Sequence, residues 1–438
     1  MRNVFERSAN RNNTNNVACC NSAGNLNNNA AINGNYAAPD CVAKTRNEAL
    51  PMEKALATQR KEPSSCREIC EQEWGDERRA CGPATPPASP TIEDAISYDA
   101  LMESARRCYA GVLWKDSVTH FYLHADEEVG KLCDELHAGT YRLRPPRTFR
   151  ITHPKPRTIN SVAFRDRVVQ RSFNDNVIYP LVSRSWIHDN YACQHGKGTD
   201  FARERMRCHL ERHLRDHGDV GGTVQIDVSG YYASLLLMAI HQRFLRKMPD
   251  FATDFAMEVI ESQGDHSPGD RFDPYARGIY AGSQTSQIAG VDYLDPIDHY
   301  VKEGLGIRGY GRYMDDSILI HEDMDHLEAC LAAIVERLAA VGLTAHPRKT
   351  VVRPIAKGFT FLGFDYRVRD GHVRMYVTKE KAKDQRRRLQ GRARLVRKGA
   401  MTRDDYLASL GNMLAHDAKG DSQALLRNLE DYALQLIE

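Results

Sequence analysis

Two segments rich in β-branched and aromatic residues, each with aspartate where a strand would end, limit the possible folds of this chain more than any other feature. Residues 223–228 (TVQIDV) have the composition of a strand and place Asp227 near its end. Residues 310–320 (YGRYMDDSILI) predict two short strands that meet at a turn containing Asp315 and Asp316. Because side chains alternate between the two faces of a strand, these two aspartates cannot both point at one spot, and one should be the principal ligand of any bound cation.

The three carboxylates suggest a site for divalent cations. If Asp227 lies beside Asp315 in a sheet, the two side chains can bridge two Mg²⁺ ions, which prefer oxygen ligands, with Mn²⁺ as a substitute. Such a pair of ions activates an attacking 3′-hydroxyl and stabilises the leaving pyrophosphate in phosphoryl transfer. An Asp-Asp pair by itself is more often a solvated turn, so the surrounding residues must decide between the two interpretations.

Further elements follow from local patterns. Residues 323–341 carry leucine, isoleucine and valine at helical spacing and are followed by Gly342, which predicts a helix packed by one face on a sheet. Residues 358–364 (GFTFLGF) predict an aromatic hairpin. Together with the acidic strands, these alternating signals indicate an α+β fold.

Charge is balanced overall but segregated along the chain. The sequence has 60 Lys and Arg against 58 Asp and Glu, yet residues 142–171 hold nine basic residues against one acid, and residues 379–398 hold ten against two. Two such blocks are typical of two walls of a channel for a polyanion, whose phosphates they would neutralise. Solvated helix faces are an equally acceptable interpretation of the charge runs alone.

The first part of the chain has a different composition. Residues 1–48 contain fourteen asparagines and little periodic apolar character, which predicts a disordered or loosely ordered stretch. A proline-rich linker follows at 81–91, so we expect ordered structure to begin near Thr91, where the sequence TIED offers a helix start.

Cysteine usage and apolar runs favour a cytoplasmic protein with no membrane partner. Eleven cysteines are scattered without a secretory signal, which favours free thiols. Cys66, Cys70 and Cys81 could belong to a zinc site, but no CxxC pair or paired histidine completes it, so ordinary thiols are the better interpretation. The longest apolar run, residues 231–240, is shorter than the roughly 18 residues that a spanning helix needs.

Eight segments in order resemble the motifs of bacterial reverse transcriptases. The likeness runs from about residue 95 to the C-terminus. The presence of all these motifs in the same order indicates the family far more specifically than the YMDD sequence alone. The segments similar to fingers motifs are 154–159 (PKPRTI), 165–170 (RDRVVQ) and 191–199 (YACQHGKGT); those similar to motifs A to E are 225–235 (QIDVSGYYASL), 282–287 (GSQTSQ), 313–316 (YMDD), 343–350 (LTAHPRKT) and 358–364 (GFTFLGF).

The resemblance implies roles for the residues of motifs A and C. Asp227 and Asp315 would be metal ligands, with Asp316 in the same cluster, and the backbone carbonyl of Val228 would add an oxygen. Tyr232 matches the family's steric gate, whose ring leaves no room for the 2′-hydroxyl of a ribonucleotide; outside that motif it would be interpreted as a core tyrosine.

The resemblance also implies contacts to the triphosphate. Lys155 and Arg157 match positions that hold it, and arginine is well shaped for such a bidentate contact, although either residue could be a surface charge. Lys349 matches a candidate general acid for the leaving pyrophosphate, with a solvated lysine as the alternative.

Motif B departs from the commonest pattern of the family. Gly282 and Ser286 match positions where backbone approaches the nucleotide and template, a use that suits glycine. Most relatives read QGxxxSP, whereas this chain has Ala281 before the glycine and Gln287 after the serine. An aliphatic-GxxxSQ sequence resembles the enzymes of diversity-generating retroelements, relatives of the group II intron and retron types, and implies error-prone synthesis. Ala281 is smaller than the usual residue there, which leaves this subgroup open.

Three other functions remain open at this stage. An RNA-dependent RNA polymerase shares the palm but usually has an acid where Tyr232 stands. A catalytically inactive RNA-binding scaffold would give no reason for three acids. Untemplated or protein-primed synthesis in an antiviral system, or a retron-like role, is compatible with the sequence.

We therefore expect an α+β right-hand polymerase: an Asn/Pro-rich N-terminal extension at 1–90, fingers and palm with an antiparallel sheet at 91–370, and a basic helical thumb at 371–438. Its partners would be an RNA template, a DNA or RNA primer and dNTPs, gripped through phosphates by the two basic blocks. The hairpin phenylalanines should pack between palm and thumb rather than stack on bases. We expect no ribonuclease H, integrase, maturase or endonuclease segment, and therefore a partner in trans, either a structured noncoding RNA or a small basic accessory protein.

Overall fold

The computed structural model describes residues 89–151, 157–264, 266–280 and 282–438, with the side chain of Arg157 excluded. The predicted asparagine-rich stretch, most of the linker, and the three cysteines weighed as zinc ligands lie outside these ranges. So do Lys155 and Ala281.

The described chain begins with helices that pack around α5. The predicted helix start near Thr91 is confirmed: its amide and hydroxyl donate to the Asp94 carboxylate, at 2.7 and 3.0 Å. These helices are α1 (Glu93–Ile96), α2 (Tyr98–Tyr109), α3 (Asp116–Leu123), α4 (Ala125–His137) and α5 (Phe164–Phe173).

A two-stranded hairpin lies between α4 and α5. β1 (Arg147–Ile151) and β2 (Arg157–Ser161) are antiparallel, with Phe149 opposite Ile159. After α5 the chain continues through further helical segments: a π-helix (Asn174–Ile178), α6 (Tyr179–Val182), a 3₁₀ turn (Ser183–Ser185) and the long α7 (Thr199–His217).

The central sheet, here called the palm sheet, has four antiparallel strands in the order β4-β5-β3-β6. Its strands are β3 (Gly222–Ile226), β4 (Gly309–Tyr313), β5 (Asp316–His321) and β6 (Val351–Pro354). The predicted strand ending near Asp227 and the predicted pair of strands around the acidic turn are both confirmed.

Helices cover the palm sheet and supply most of its core. They are α8 (Tyr231–Ser234), α9 (Leu237–Lys247), α10 (Asp250–Ser262), α11 (Gln284–Tyr293), α12 (Asp295–His299) and α13 (Met324–Ala340), with a 3₁₀ turn (Asp270–Phe272) and a π-helix (Tyr300–Gly304). The helix predicted at 323–341 is α13: the Asp323 carboxylate caps its first turn. Leu327 and Leu338 are buried as predicted, but Val335, assigned to the same apolar face, is 37% exposed.

A three-stranded antiparallel sheet and a helical bundle complete the chain. The aromatic hairpin is confirmed by β7 (Phe359–Phe361) and β8 (Phe364–Arg369), which β9 (His372–Val377) extends. Its phenylalanines are buried in an apolar cluster that includes residues of α7, as expected for packing rather than base stacking. The basic C-terminal part forms α14 (Lys379–Arg397), α15 (Arg403–Asp417) and α16 (Gln423–Gln435) around a core of its own.

The predicted fold class is confirmed: an α+β chain with an antiparallel palm sheet and a helical C-terminal part. The predicted domain boundary at 370 falls in the turn between β8 and β9, and the division into domains stays a prediction. None of the described helices is both long and apolar enough to cross a membrane.

Candidate active site

One end of the palm sheet carries all three predicted carboxylates. β3 runs antiparallel to β5, so Asp227, which directly follows β3, lies at the end of the sheet where β5 begins at Asp316. Met314 and Asp315 form the two-residue turn between β4 and β5. Met314 has φ of 55°, a left-handed conformation that is uncommon for a residue with a Cβ atom. The structure thus brings Asp227 together with the acidic turn, as the strand pattern predicted.

The carboxylates of this turn have strongly perturbed electrostatics. Burial raises the pKa of Asp315, and the neighbouring charge of Asp227 raises it further. Burial also raises the pKa of Asp316 to about 7, with the charges of Asp315 and Asp227 adding to the effect and a hydrogen bond with Gln225 opposing it. The three acids therefore repel one another in a poorly solvated place, and a bound cation would relieve that repulsion.

The donor set fits a hard divalent cation. Oδ1 of Asp316 is buried and has no hydrogen-bond partner among the residues that the structure describes, and carboxylate oxygens are the ligands that Mg²⁺ prefers. Across the described part of the chain, however, no three acidic, histidine or cysteine side chains already have the spacing of a metal site. The predicted pair of Mg²⁺ ions is therefore supported by donor chemistry alone.

Lys349 is bound to the first of these carboxylates. Its Nζ atom lies 2.9 Å from Oδ1 and 3.0 Å from Oδ2 of Asp227. The lysine side chain is 54% exposed and that of Asp227 only 19%, so the ammonium reaches the site from its solvent side. A lysine from the loop after α13 thus partly neutralises the site.

Val228 lies directly beside the acids and joins the same loop. It forms an antiparallel bridge with Ala345, flanked by a backbone hydrogen bond from His346 to the carbonyl of Asp227 at 2.7 Å. Its side chain is buried in the core while its backbone lies at the end of the palm sheet. The metal contact predicted for its carbonyl stays a prediction.

Tyr232 lies close to the acidic turn. Its hydroxyl donates to the sulfur of Met314 at 3.7 Å, and the ring is partly exposed. Burial raises the pKa of its hydroxyl, with the charge of Asp315 contributing, so the phenol stays neutral. The ring is therefore beside the predicted site, as a steric gate would require.

The motif B residues begin α11. Ser283 caps this helix by accepting a hydrogen bond from the amide of Ser286 at 3.0 Å, and its hydroxyl donates to that of Ser286 at 2.9 Å. Ser286 is fully buried, so its side chain serves the cap, whereas Gly282 is exposed. The side chain of Gln287 is half-buried and accepts a weak hydrogen bond from the thiol of Cys193 at 3.5 Å.

The predicted triphosphate contacts are only partly covered by the structure. Arg157 begins β2, opposite Ile151, and its backbone alone is described. Lys155 lies outside the described residues.

Two polar residues near the acids were missed by the sequence reasoning. Arg312 is 2% exposed; its Nη1 donates to the carbonyl of Met314 at 2.7 Å, and its Nε donates to Asp298 at 2.7 Å. Gln225 interacts with Asp316 and donates to the carbonyl of Thr360 at 3.0 Å. Both residues could have been found in the sequence, because each is a long polar side chain inside a segment with the composition of a buried strand, where polar side chains are rare.

A comparison with protein families covers the same part of the chain. Residues 152–366 match a family model described as reverse transcriptase (RNA-dependent DNA polymerase). No curated protein matches the sequence. Among solved structures, apo telomerase from Candida tropicalis truncated from its C-terminal domain is similar at 13% identity over 52% of this chain and 54% of that chain, with a TM-score of 0.39.

Telomerase from Candida albicans in complex with a TWJ fragment of telomeric RNA is similar at 11% identity over 68% of this chain and 61% of that chain, with a TM-score of 0.41. The likeness thus covers less than two thirds of either telomerase chain. The family match, by contrast, includes Asp227, the acidic turn and Lys349. The chain therefore carries a reverse transcriptase (RNA-dependent DNA polymerase) domain at residues 152–366.

Proposed function

We propose that the protein is an RNA-directed DNA polymerase that adds dNTPs to the 3′-hydroxyl of a DNA or RNA primer on an RNA template. The observation that carries this proposal is the meeting of Asp227 with Asp315 and Asp316 at one end of the palm sheet. Packing gives no reason to gather three carboxylates that repel one another and to leave a buried oxygen without a partner in the described part of the chain. Cation-assisted phosphoryl transfer does give such a reason.

The carboxylates would hold the cations. Asp227, Asp315 and the carbonyl of Val228 would bind two Mg²⁺ ions, with Asp316 in the same cluster and Mn²⁺ as a substitute. When bound there, the ions would activate the primer hydroxyl and stabilise charge on the departing pyrophosphate.

Lys349 would donate a proton to the pyrophosphate. Its ammonium lies 2.9 Å from Asp227, so it would be near phosphates that cations bound by this carboxylate hold. Lys155 and Arg157 would hold the triphosphate, and the ring of Tyr232 would exclude a 2′-hydroxyl. Gly282, Ser286 and Gln287 would shape the place where the new base pair forms.

The nucleic acid would be held through its phosphates. Several Lys and Arg side chains of α14 are exposed, as are Arg144, Arg147 and Arg150 of the other basic block. Such residues suit an RNA/DNA hybrid and would make binding salt-dependent. A structured noncoding RNA or a small basic accessory protein would be the partner in trans.

A primer-extension assay tests the proposal. Purified protein, a labelled primer on an RNA template, Mg²⁺ and either dNTPs or NTPs should give template-dependent product with dNTPs only. Asp315→Asn should abolish the product, while Asp325→Asn, an exposed aspartate on α13, should not. Product with NTPs only would identify an RNA polymerase, and no product with any primer would contradict polymerisation.

We further propose that synthesis is error-prone, as in diversity-generating retroelements. The support is Gln287 in place of proline and Ala281 in place of the usual glutamine. Sequencing of cDNA made in vitro should show frequent errors, mainly opposite template adenine, which Ala281→Gln should reduce. An error rate like that of retroviral enzymes, unchanged by the substitution, would contradict this role and leave the retron-like and defence roles.

A further inference from the structure

The ring of Tyr232 lies between α11 and the turn that carries the acids. A Cβ atom added to Gly290 of α11 would lie 3.2 Å from Cε1 and 3.3 Å from both Cζ and Oη of this ring. The Tyr232 hydroxyl also donates to the sulfur of Met314 at 3.7 Å. The ring therefore has two walls, the backbone of α11 at Gly290 and the side chain of Met314.

Gly290 forms the first wall because it lacks a side chain. A glycine inside a helix costs about 1 kcal/mol relative to alanine, so it needs a packing reason. The close approach of Tyr232 supplies that reason, and the hydroxyl of Tyr231 also donates to the carbonyl of Gly290. Gly290 is buried whereas Tyr232 is partly exposed, so a side chain at 290 would displace the ring toward its exposed side.

Arg312 ties the two walls together. Its Nη1 donates to the carbonyl of Met314 at 2.7 Å, and its Nη2 donates to the carbonyl of Val291, the neighbour of Gly290, at 2.9 Å. Asp298 anchors the guanidinium through Nε at 2.7 Å and Nη2 at 2.5 Å. One rigid, planar group thus fixes the distance between α11 and the turn, which a lysine could not do.

We propose that Gly290 and Arg312 determine the choice between deoxyribose and ribose by fixing the position of Tyr232. This inference rests on the proposed function, in which Tyr232 excludes the 2′-hydroxyl. Both are positioning residues, because they act on the sugar through the ring. A methyl group at 290 forces the ring to shift by a few tenths of an ångström and narrows the space for the sugar. Loss of the Arg312 guanidinium removes the hydrogen bonds that link Met314 to α11, so the Met314 side chain moves away from the ring and the space for the sugar widens.

A double-mutant cycle in primer extension tests the inference. The quantity measured is kcat/KM for a dNTP divided by kcat/KM for the matching rNTP, in wild type, Gly290→Ala, Tyr232→Val and the double variant. Gly290→Ala should raise this ratio roughly tenfold, the usual effect of one extra methyl group in a binding site. It should leave the ratio unchanged in the Tyr232→Val background, where there is no ring to displace.

Two further variants complete the design. Gly411→Ala, at an exposed position of α15 where a Cβ atom meets nothing within 4 Å, is the matched control and should not change the ratio. Arg312→Lys keeps the charge and should lower the ratio, again only when Tyr232 is present. Should this buried substitution prevent folding, the Gly290 cycle decides alone.

The outcomes are distinguishable. An active wild type in which Gly290→Ala changes dNTP and rNTP use equally, or changes the ratio to the same extent without Tyr232, would overturn the inference and leave the proposed function intact. A wild type that incorporates no dNTP would overturn both.

Discussion

Asp316 sits half-buried beside two other carboxylates, and burial raises its pKa to about 7. An aspartate in an unfolded chain titrates near pH 4. Because the folded state prefers the protonated acid, the contribution of this group to stability is complete below about pH 4 and is lost as the pH rises through 7. At neutral pH the ionised acidic turn therefore lowers the free energy of unfolding, unless a bound cation offsets its charge.

We predict that Asp316→Asn raises the melting temperature at pH 8 in the absence of divalent ions, while it impairs polymerisation. The amide keeps the shape of the side chain and removes the charge. Thermal unfolding at pH 8 with EDTA should show a gain of several degrees, which disappears at pH 4. Asp325→Asn, exposed on α13, is the control and should show no gain. A lower melting temperature for Asp316→Asn under these conditions would contradict the electrostatic account.

Lys349 gives a second prediction at the residue scale. Lys349→Arg keeps a positive charge near Asp227 but replaces an ammonium by a guanidinium that does not give up a proton. If Lys349 protonates the pyrophosphate, kcat should fall by about 100-fold with little change in KM for dNTPs. Steady-state primer extension measures both constants, with Lys357→Arg, exposed in the 3₁₀ turn Ile355–Lys357, as the control. An unchanged kcat would leave Lys349 as a counter-ion only.

Among the elements, α14 presents a basic face. Lys379, Lys383, Arg387 and Arg394 recur at spacings of four and seven residues and are all exposed, while Leu389 on the other face is buried. A helix with this pattern is anchored to the bundle by its apolar side and turns its cations toward solvent, where Lys379, Lys383 and Arg394 can meet phosphates. Arg387 is paired with Asp384.

We predict that the double variant Lys383→Gln/Arg394→Gln weakens binding of a primer–template hybrid and makes it less dependent on salt. For every phosphate that the variant no longer binds, the slope of log Kd against log salt concentration should fall by about 0.9. Fluorescence anisotropy at several salt concentrations measures this slope. Arg215→Gln is the control, because Arg215 lies near the C-terminal end of α7, far from the acids. His217, two residues later, contacts Glu322 at the opposite end of the palm sheet from the acidic turn. Equal slopes for both variants would rule out a specific role of α14.

At the scale of the whole molecule, several histidines are buried where elements meet. Burial lowers the pKa of His209, His213 and His241, so the fold keeps them neutral. In the neutral form, Nε2 of His213 donates to the carbonyl of Val220 at 2.8 Å, and this hydrogen bond opposes the effect of burial on the pKa without cancelling it. In the unfolded chain these groups take up protons near pH 6.5. Their contribution to stability is therefore present above pH 6.5 and is lost as the pH falls below it.

We predict that the change from pH 7.5 to pH 5.5 lowers the free energy of unfolding of the wild type more than that of His213→Gln, because Asp316 acts in the opposite direction equally in both proteins. Glutamine can still donate to the carbonyl of Val220 but takes up no proton. Urea denaturation at the two pH values measures the difference, with His217→Gln, 41% exposed on the same helix, as the control. The same pH-dependent change in His213→Gln as in the wild type would contradict the assignment.

Much of the local structure could be read from the sequence. The strand before Asp227, the acidic turn, the helix from Met324 and the aromatic hairpin all depend on periodicity and turn residues within about twenty positions. The likeness to the family placed these elements in order. Residues 1–88 and the segment around Lys155 lie outside this comparison.

The contacts that shape the site were decided by the tertiary structure. Lys349 meets Asp227 across 122 positions of sequence, and Arg312 needs Asp298 brought beside it by a π-helix and a turn. Neither pairing has a local pattern, because each follows from how the helices pack on the palm sheet. The sequence by itself thus determined which residues could do the chemistry; only packing over long distances decided which partners hold them, since a buried charge or ring takes its position from all the elements that surround it.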